Sequence, residues 1–138
     1  MAKKGYKNII IEGGVSEAEI LNNYLTTGNE KLLQKTRAKG ENYRAFIKKI
    51  KQLSNRNGYP KLQFIGIDFE RAICLEYLFS QWFSGNQSPK LQEPIKKLLQ
   101  IKANTKPKKI KKIILEIKNK YPQYEVAFAN SLGAKALV

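Results

Sequence analysis

The sequence predicts a small α/β fold in which two or three parallel strands are flanked by about five or six helices. Two apolar runs of strand length carry this prediction. The first is Asn8–Glu12, and the second begins at Leu62 and ends in Asp68, Glu70 and Arg71. Both are rich in β-branched residues, and a helical pattern follows each of them. Consecutive units of this kind predict neighbouring parallel strands, with acids at the carboxyl edge where open α/β sheets place their sites.

Helices are predicted between the two strands. Ser16 and Glu19 have the spacing of a capping box, which predicts that a helix begins at Ser16. The segment 26–29 is a polar stop that ends this helix. Glu30 to Gln34 is predicted as a short helix, and Glu41 to about Leu53 as a longer one, because apolar residues recur there at three- and four-residue steps. The second strand is interpreted as a short buried one.

The remaining helices are predicted from their caps and prolines. Asp68 is placed to cap the next helix. Further helices are predicted to start near Pro94 and near Pro107, since proline is favoured in a first helical turn. The tail 124–138 is compatible with a strand or a weak helix. We therefore expect an α/β unit at 1–84 and a lysine-rich helical region at 85–138 packed on it.

Composition restricts the chemistry that this chain can perform. It contains no histidine, which removes the usual general base, the Ser-His-Asp and Cys-His arrangements and most zinc sites. Cys74 is the single cysteine, so no internal disulfide forms and a cytoplasmic location is expected. Its apolar surroundings in the sequence predict a buried, inert thiol. No metal, cofactor or transmembrane segment is expected, and catalysis would depend on carboxylates, tyrosines or lysines.

The strongly basic character indicates a polyanionic partner. The 138 residues carry a formal net charge of +15, and acids are almost absent from 90–120. A nucleic acid or an anionic membrane surface would be attracted to such a region. The alternative is a solvated lysine surface, because only four residues are arginine (Arg37, Arg44, Arg56 and Arg71). The candidate binding lysines are Lys96, Lys97, Lys108, Lys109, Lys111 and Lys112.

The acids that follow the strands are the candidate catalytic residues. Glu12, Asp68 and Glu70 could form a carboxylate cluster, with Arg71 stabilising it or binding an anion. Two carboxylates held close together would raise the pKa of one of them, as an acid/base pair requires. The alternative is structural: Asp68 caps its helix, and the other two acids lie near positively polarised helix N-termini.

Three segments together resemble the erythromycin esterase-like hydrolases. They are Gly5–Ala18, which contains a strand ending in glutamate, Leu21–Gly28, which contains Asn-x-Tyr-Leu-Thr-Thr-Gly, and Phe64–Asp68, which ends in Gly-Ile-Asp. The resemblance covers about residues 5–82. It implies an α/β fold and hydrolysis of a macrolide lactone by an activated water without a metal. The matching site residues are Glu12 and Asp68.

The resemblance also implies a Gly-Glu-x-His-Gly motif and a later histidine, and this chain contains neither. The carboxylates are present, whereas the water-activating base is not. The chain is therefore expected to be a piece of a larger protein, a domain that has lost the activity, or a protein that shares only the fold. The first functional hypothesis is a partial or degenerate hydrolase-like domain that is not catalytic alone.

Two further hypotheses belong to other classes of protein. One is a basic module that binds nucleic acid or an anionic surface, which requires the lysines of 96–120 to form one continuous face. The other is an interaction subunit that pairs with itself or with a missing segment, because a small two-stranded sheet is marginal alone.

Overall fold

The computed structural model describes residues 5–38, 40–68, 70–84 and 89–122. It confirms a small α/β fold, in which the described residues form a two-stranded parallel sheet and several helices. The elements up to the second strand are β1 (Asn8–Ile11), α1 (Val15–Thr27), a 3-10 helix (Glu30–Lys35), α2 (Glu41–Ser54) and β2 (Gln63–Gly66). The elements that follow are α3 (Ala72–Trp82), a 3-10 helix (Pro89–Leu91), α4 (Gln92–Leu98) and α5 (Pro107–Lys120).

The chain divides into two compact units, Met1–Cys74 and Leu75–Val138. The first unit holds the sheet and has a core of apolar side chains from α1, the first 3-10 helix, α2 and β2. Its most deeply buried members are Ile20, Leu21, Leu33, Ile47 and Phe64. The second unit holds α4, which packs against α5. Its buried side chains include Leu78, Leu91, Ile95, Ile101, Ile110 and Ile113.

The parallel pairing of the two strands is confirmed. Asn8 lies opposite Gln63 and Ile11 lies opposite Gly66. The outer edge of β2 is occupied by a side chain of α1: Asn22 Nδ2 donates to the carbonyl of Phe64 at 3.0 Å, and the amide of Phe64 donates to Asn22 Oδ1 at 2.7 Å. One asparagine therefore satisfies both backbone groups that a further strand would use at this position.

The expectation of a buried second strand is wrong. The described residues cover one face of the sheet: Phe64 is 2% exposed, whereas its neighbour Ile65 is 38% exposed. The physical reason is that α1 packs on one side of β2, so alternate residues point into the core and out of it. A β-branched run indicates strand propensity, but it does not report how many layers cover the strand.

Two capping predictions are also wrong. Helix α1 begins at Val15 with Gly14 as its N-cap and no side-chain cap bond, so Ser16 lies inside the first turn rather than before it. Helix α3 begins at Ala72, four residues after Asp68, which is therefore too distant to be its N-cap. By contrast, α5 begins at Pro107 as predicted. The predictions for the tail 124–138 lie outside the described residues.

Helix α4 begins at Gln92, two residues before the predicted start near Pro94, which consequently occupies the first turn. None of the helices in the described parts of the chain has the length and apolar content needed to span a bilayer.

Candidate functional site

The carboxyl edge of the sheet is a close meeting point of two backbone segments. The amide of Ile67 donates to the carbonyl of Ile11 at 3.4 Å, and the amide of Asp68 donates to the carbonyl of Gly13 at 3.1 Å. A Cβ on Gly66 would overlap the carbonyl oxygens of Gly13 and Gly14. The glycines therefore permit an approach that brings the start of α1 against the segment that follows β2.

Glu70 caps α1 from a distant part of the chain. Its carboxylate accepts hydrogen bonds from the Ser16 amide at 3.1 and 3.3 Å across a separation of 54 residues. The Ser16 hydroxyl donates to the same carboxylate. A negative charge near a helix N-terminus is favourable, because the first amides there lack partners within the helix. The helix that Glu70 stabilises is thus α1, and not the helix that follows it in sequence.

Glu17 is the central acid of this region, although sequence reasoning did not select it. The residue is only 1% exposed. Its Oε1 accepts a hydrogen bond from the backbone amide of Arg37 at 2.5 Å. Arg37 Nε lies 3.6 Å from Glu17 Oε2, and Arg71 Nη1 lies 3.9 Å from Glu17 Oε1. A buried carboxylate is thereby compensated by two guanidinium groups.

A signal for Glu17 is present in the sequence. Glu17, Ile20, Leu21 and Tyr24 follow each other at three- and four-residue steps, so the acid lies on the apolar face of its helix. An acid at such a position needs a cationic partner, and arginine suits buried ion pairs best.

Asp68 joins this network at the surface. Its Oδ2 lies 3.9 Å from Nη2 of Arg37, so that one guanidinium contacts both Glu17 and Asp68. The structure therefore brings together Asp68, Glu70 and Arg71 in one region, with Glu17 and Arg37 added. Among the described residues, Glu12 is outside this network: it is exposed, and its carboxylate makes no ion pair or hydrogen bond with any of them.

The chemistry of this arrangement is that of a charge-balanced structural network. Its carboxylates accept from amides, a hydroxyl or guanidinium groups, so each is already engaged. Glu17 Oε2 and Arg71 Nη1 are the buried side-chain atoms without a hydrogen-bond partner in the part of the chain that the structure describes. Within that same part, no cluster of three or more histidine, cysteine or acidic side chains is suited to hold a metal ion.

Cys74 lies next to this network and is buried, as expected. Its Sγ donates to the carbonyl of Lys35 at 3.2 Å. Burial raises the pKa of the Cys74 thiol to about 12, and the negative charge of Glu17 adds to the effect. The thiol is therefore protonated at neutral pH, which removes it as a nucleophile.

The second candidate site is a groove along α5, in the other unit. Among the described residues, the groove is lined by Lys106, Lys108, Lys109, Lys111, Lys112, Leu115 and Glu116, which contribute mainly apolar atoms to it. These lysines are exposed, and none forms an ion pair with a described residue. We call this surface the lysine groove. The aliphatic stems of these lysines and the side chain of Leu115 form an apolar floor. The ammonium groups lie at the ends of the exposed lysine side chains, where they can bind an anion.

The sequence-predicted lysines divide among three environments. Lys108, Lys109, Lys111 and Lys112 line the groove. Lys97 forms an ion pair with Glu116, and this contact raises the pKa of Lys97 and lowers the pKa of Glu116. Lys96 is exposed and does not line the groove. The acid of α5 is thus paired with a lysine of α4, and no described acid forms an ion pair with the groove lysines.

Comparison with known proteins adds no relative. No protein-family model matches the chain, and no curated protein or solved structure matches it significantly.

Proposed function

We propose that the lysine groove binds the phosphate backbone of a nucleic acid. The observation that carries this proposal is that Lys106, Lys108, Lys109, Lys111 and Lys112 line one groove, whose one acidic lining residue among those described is Glu116. Glu116 is itself paired with Lys97. Lysines that contact phosphates release condensed counterions, which favours binding without any base-specific contact. The net charge of +15 adds long-range attraction.

The choice of nucleic acid over a membrane rests on the other face of α5. An interfacial helix inserts its apolar side into the lipid. In α5 that side is partly occupied, because Ile110 and Ile113 are each 7% exposed, whereas Ile114 and Leu115 are 44% and 46% exposed. A row of cations on a helix with only two exposed large apolar side chains suits a phosphate backbone better than an acyl-chain boundary. A cytoplasmic location belongs to the same proposal, since nucleic acid and a reduced Cys74 both fit it.

The proposal is tested by equilibrium binding of the full chain at low salt to labelled duplex DNA, to single-stranded RNA and to anionic phospholipid vesicles. We expect the nucleic acids to bind and Lys108→Ala/Lys111→Ala/Lys112→Ala to weaken that binding at least tenfold. The matched control is Lys31→Ala/Lys35→Ala/Lys49→Ala, which removes the same charge from exposed positions elsewhere.

Two results would contradict the proposal. One is the absence of nucleic-acid binding at low salt. The other is an equal loss of affinity in both triple variants, because that would assign the attraction to overall charge rather than to the groove. Binding to vesicles alone would move the function to a lipid surface.

A second candidate function is a partial or degenerate hydrolase-like domain of the erythromycin esterase type, without catalysis of its own. It is favoured by the parallel pairing of β1 and β2. Glu12 comes after β1 and Asp68 comes after β2, so both acids follow the carboxyl ends of their strands. The engagement of Asp68 with Arg37, and of Glu70 with Ser16, supports the non-catalytic half of this proposal.

Hydrolysis assays on a macrolide lactone and on a simple aryl ester test this second candidate. We expect no turnover above the buffer rate, because no histidine is available as a base. Turnover that Glu12→Gln abolishes would overturn the proposal that the chain is inactive alone.

A further inference from the structure

One face of the sheet is exposed and apolar at its centre. Ile10 and Ile65 are paired neighbours in the register and are 65% and 38% exposed, and Ile67 is 67% exposed. Gln63 Nε2 donates to Asn8 Oδ1 at 2.8 Å across the strands, so these two side chains lie on one side of the sheet. We call this side of the sheet the open face. Exposed and less exposed residues alternate along both strands, and this alternation places Tyr6, Lys61 and Glu12 on the open face as well. Its members are Tyr6, Asn8, Ile10, Glu12, Lys61, Gln63, Ile65 and Ile67.

The open face carries opposite charges at its two ends. Lys61 precedes β2 at the amino end of the sheet, and Glu12 follows β1 at the carboxyl end. Along the strands they are about 20 Å apart, at about 3.3 Å for each residue. Within one copy of the chain, Lys61 and Glu12 are thus too distant to pair. The isoleucines lie between them.

We propose that the open face is the interface of a homodimer. A two-fold axis that runs across the strands, parallel to the sheet, stacks two copies face to face with their strands antiparallel. This operation places Lys61 of each copy beside Glu12 of the other and brings Ile10 and Ile65 of both copies together. The face is therefore complementary to itself in charge and in hydrophobicity, as an isologous interface requires.

Pairing through the outer edge of β2 is less suitable for a second copy. Asn22 already occupies both backbone groups of Phe64 at the outer edge of β2. A strand added there would have to displace these two hydrogen bonds. Face-to-face packing leaves them intact and removes the exposed isoleucines from water.

The oligomeric state of the full chain tests this proposal, measured by analytical ultracentrifugation at 150 mM salt, where repulsion between the basic copies is screened. We expect a dimer at micromolar concentration and a monomer for Ile65→Lys. The matched control is Ile114→Lys, since Ile114 is a similarly exposed isoleucine on α5, and this variant should remain dimeric. A monomeric wild-type chain at 100 µM would overturn the proposal, whether residues 123–138 or an unrelated protein cover the face instead.

Charge reversal identifies the orientation independently of folding. Glu12→Lys alone and Lys61→Glu alone should each weaken the dimer at least tenfold, because each variant brings like charges together in its own homodimer. An equimolar mixture of the two variants restores both opposite-charge pairs and should dimerise again. If the mixture stays as monomeric as its components, the antiparallel arrangement is contradicted.

Discussion

Glu17 shows at the scale of one residue how this fold accommodates an ionised group in its interior. The carboxylate is 1% exposed and has guanidinium groups from Arg37 and Arg71 within 4.0 Å. If Glu17 lost its charge, the guanidinium groups of Arg37 and Arg71 would lose their shared anion. The free-energy cost of leaving them uncompensated exceeds the net contribution of the intact ion pairs to stability. We therefore assign Glu17 a role in the stability of the fold rather than in catalysis.

Glu17→Gln tests this assignment. The substitution keeps the shape of the side chain but leaves Arg37 and Arg71 without their shared anion. We expect the free energy of unfolding to fall by about 1–3 kcal/mol, as measured by urea denaturation monitored by circular dichroism. Glu19→Gln in the same helix is the control and should change stability by less than about 0.5 kcal/mol. Equal effects of the two substitutions would contradict the role assigned to Glu17.

Cys74 gives a chemical measure of the same interior. Burial raises the pKa of its thiol from 9.0 to about 12, which lowers the thiolate fraction at pH 8 by about 1,000-fold. The protein should resist iodoacetamide at pH 8 and react rapidly in urea. Rapid alkylation of the native protein would contradict the burial of this thiol.

The raised pKa of the Cys74 thiol also makes the free energy of unfolding depend on pH. The unfolded thiol ionises first as the pH rises, so the unfolded state loses its proton before the folded state does. This group's contribution to stability is complete below pH 9 and is lost between about pH 9 and pH 12. Cys74→Ala should remove that part of the alkaline destabilisation.

Residue-level partners were the least predictable part of the site. The sequence predicted a cluster of Glu12, Asp68 and Glu70 with Arg71, and the structure places the last three in one region but leaves Glu12 exposed outside it. It could not indicate that Glu70 binds Ser16 across 54 residues, because a carboxylate after a strand is equally suited to cap the next helix. Glu17 was missed because it lies between Ser16 and Glu19, which were interpreted as a capping box, although its place on an apolar face was a usable signal.

At the scale of elements, α5 is the helix whose sequence pattern and structure agree best. Pro107 begins it, and Ile110 and Ile113 point into the core while the lysines line the groove. Helical periodicity is a local property that a sequence reports directly. The burial of β2 depends instead on tertiary packing, that is, on which side of the sheet α1 packs against. For this reason the exposure of Ile65 was not predicted.

Neighbouring isoleucines of α5 provide the test at this scale. Ile113 is 7% exposed and Ile114 is 44% exposed. We expect Ile113→Ala to lower the free energy of unfolding by about 2–4 kcal/mol, because it leaves a cavity in a packed core. Ile114→Ala should cost less than about 1 kcal/mol. The reverse order in a thermal or urea denaturation experiment would show that α5 is rotated about its axis.

At the scale of the whole molecule, the net positive charge affects which partners the surface attracts. A net charge of +15 on 138 residues opposes self-association and favours contact with polyanions. The first unit neutralises its buried charge internally through Glu17, Arg37 and Arg71. In the second unit, a row of exposed lysines lies along α5 and makes no ion pair with any residue that the structure describes. The composition alone therefore favours an anionic partner, whereas the fold separates the groove from other exposed lysines.

The most direct test of the central claim is the salt dependence of binding between the full chain and a labelled nucleic-acid duplex. The groove predicts that the logarithm of the association constant falls linearly with the logarithm of the salt concentration, with a slope of about −3 to −5. Lys108→Ala/Lys111→Ala/Lys112→Ala should reduce the magnitude of that slope by about 2–3, or about one for each lost phosphate contact. A slope that is unchanged in this variant would contradict the account, because the phosphates would then be bound elsewhere on the protein.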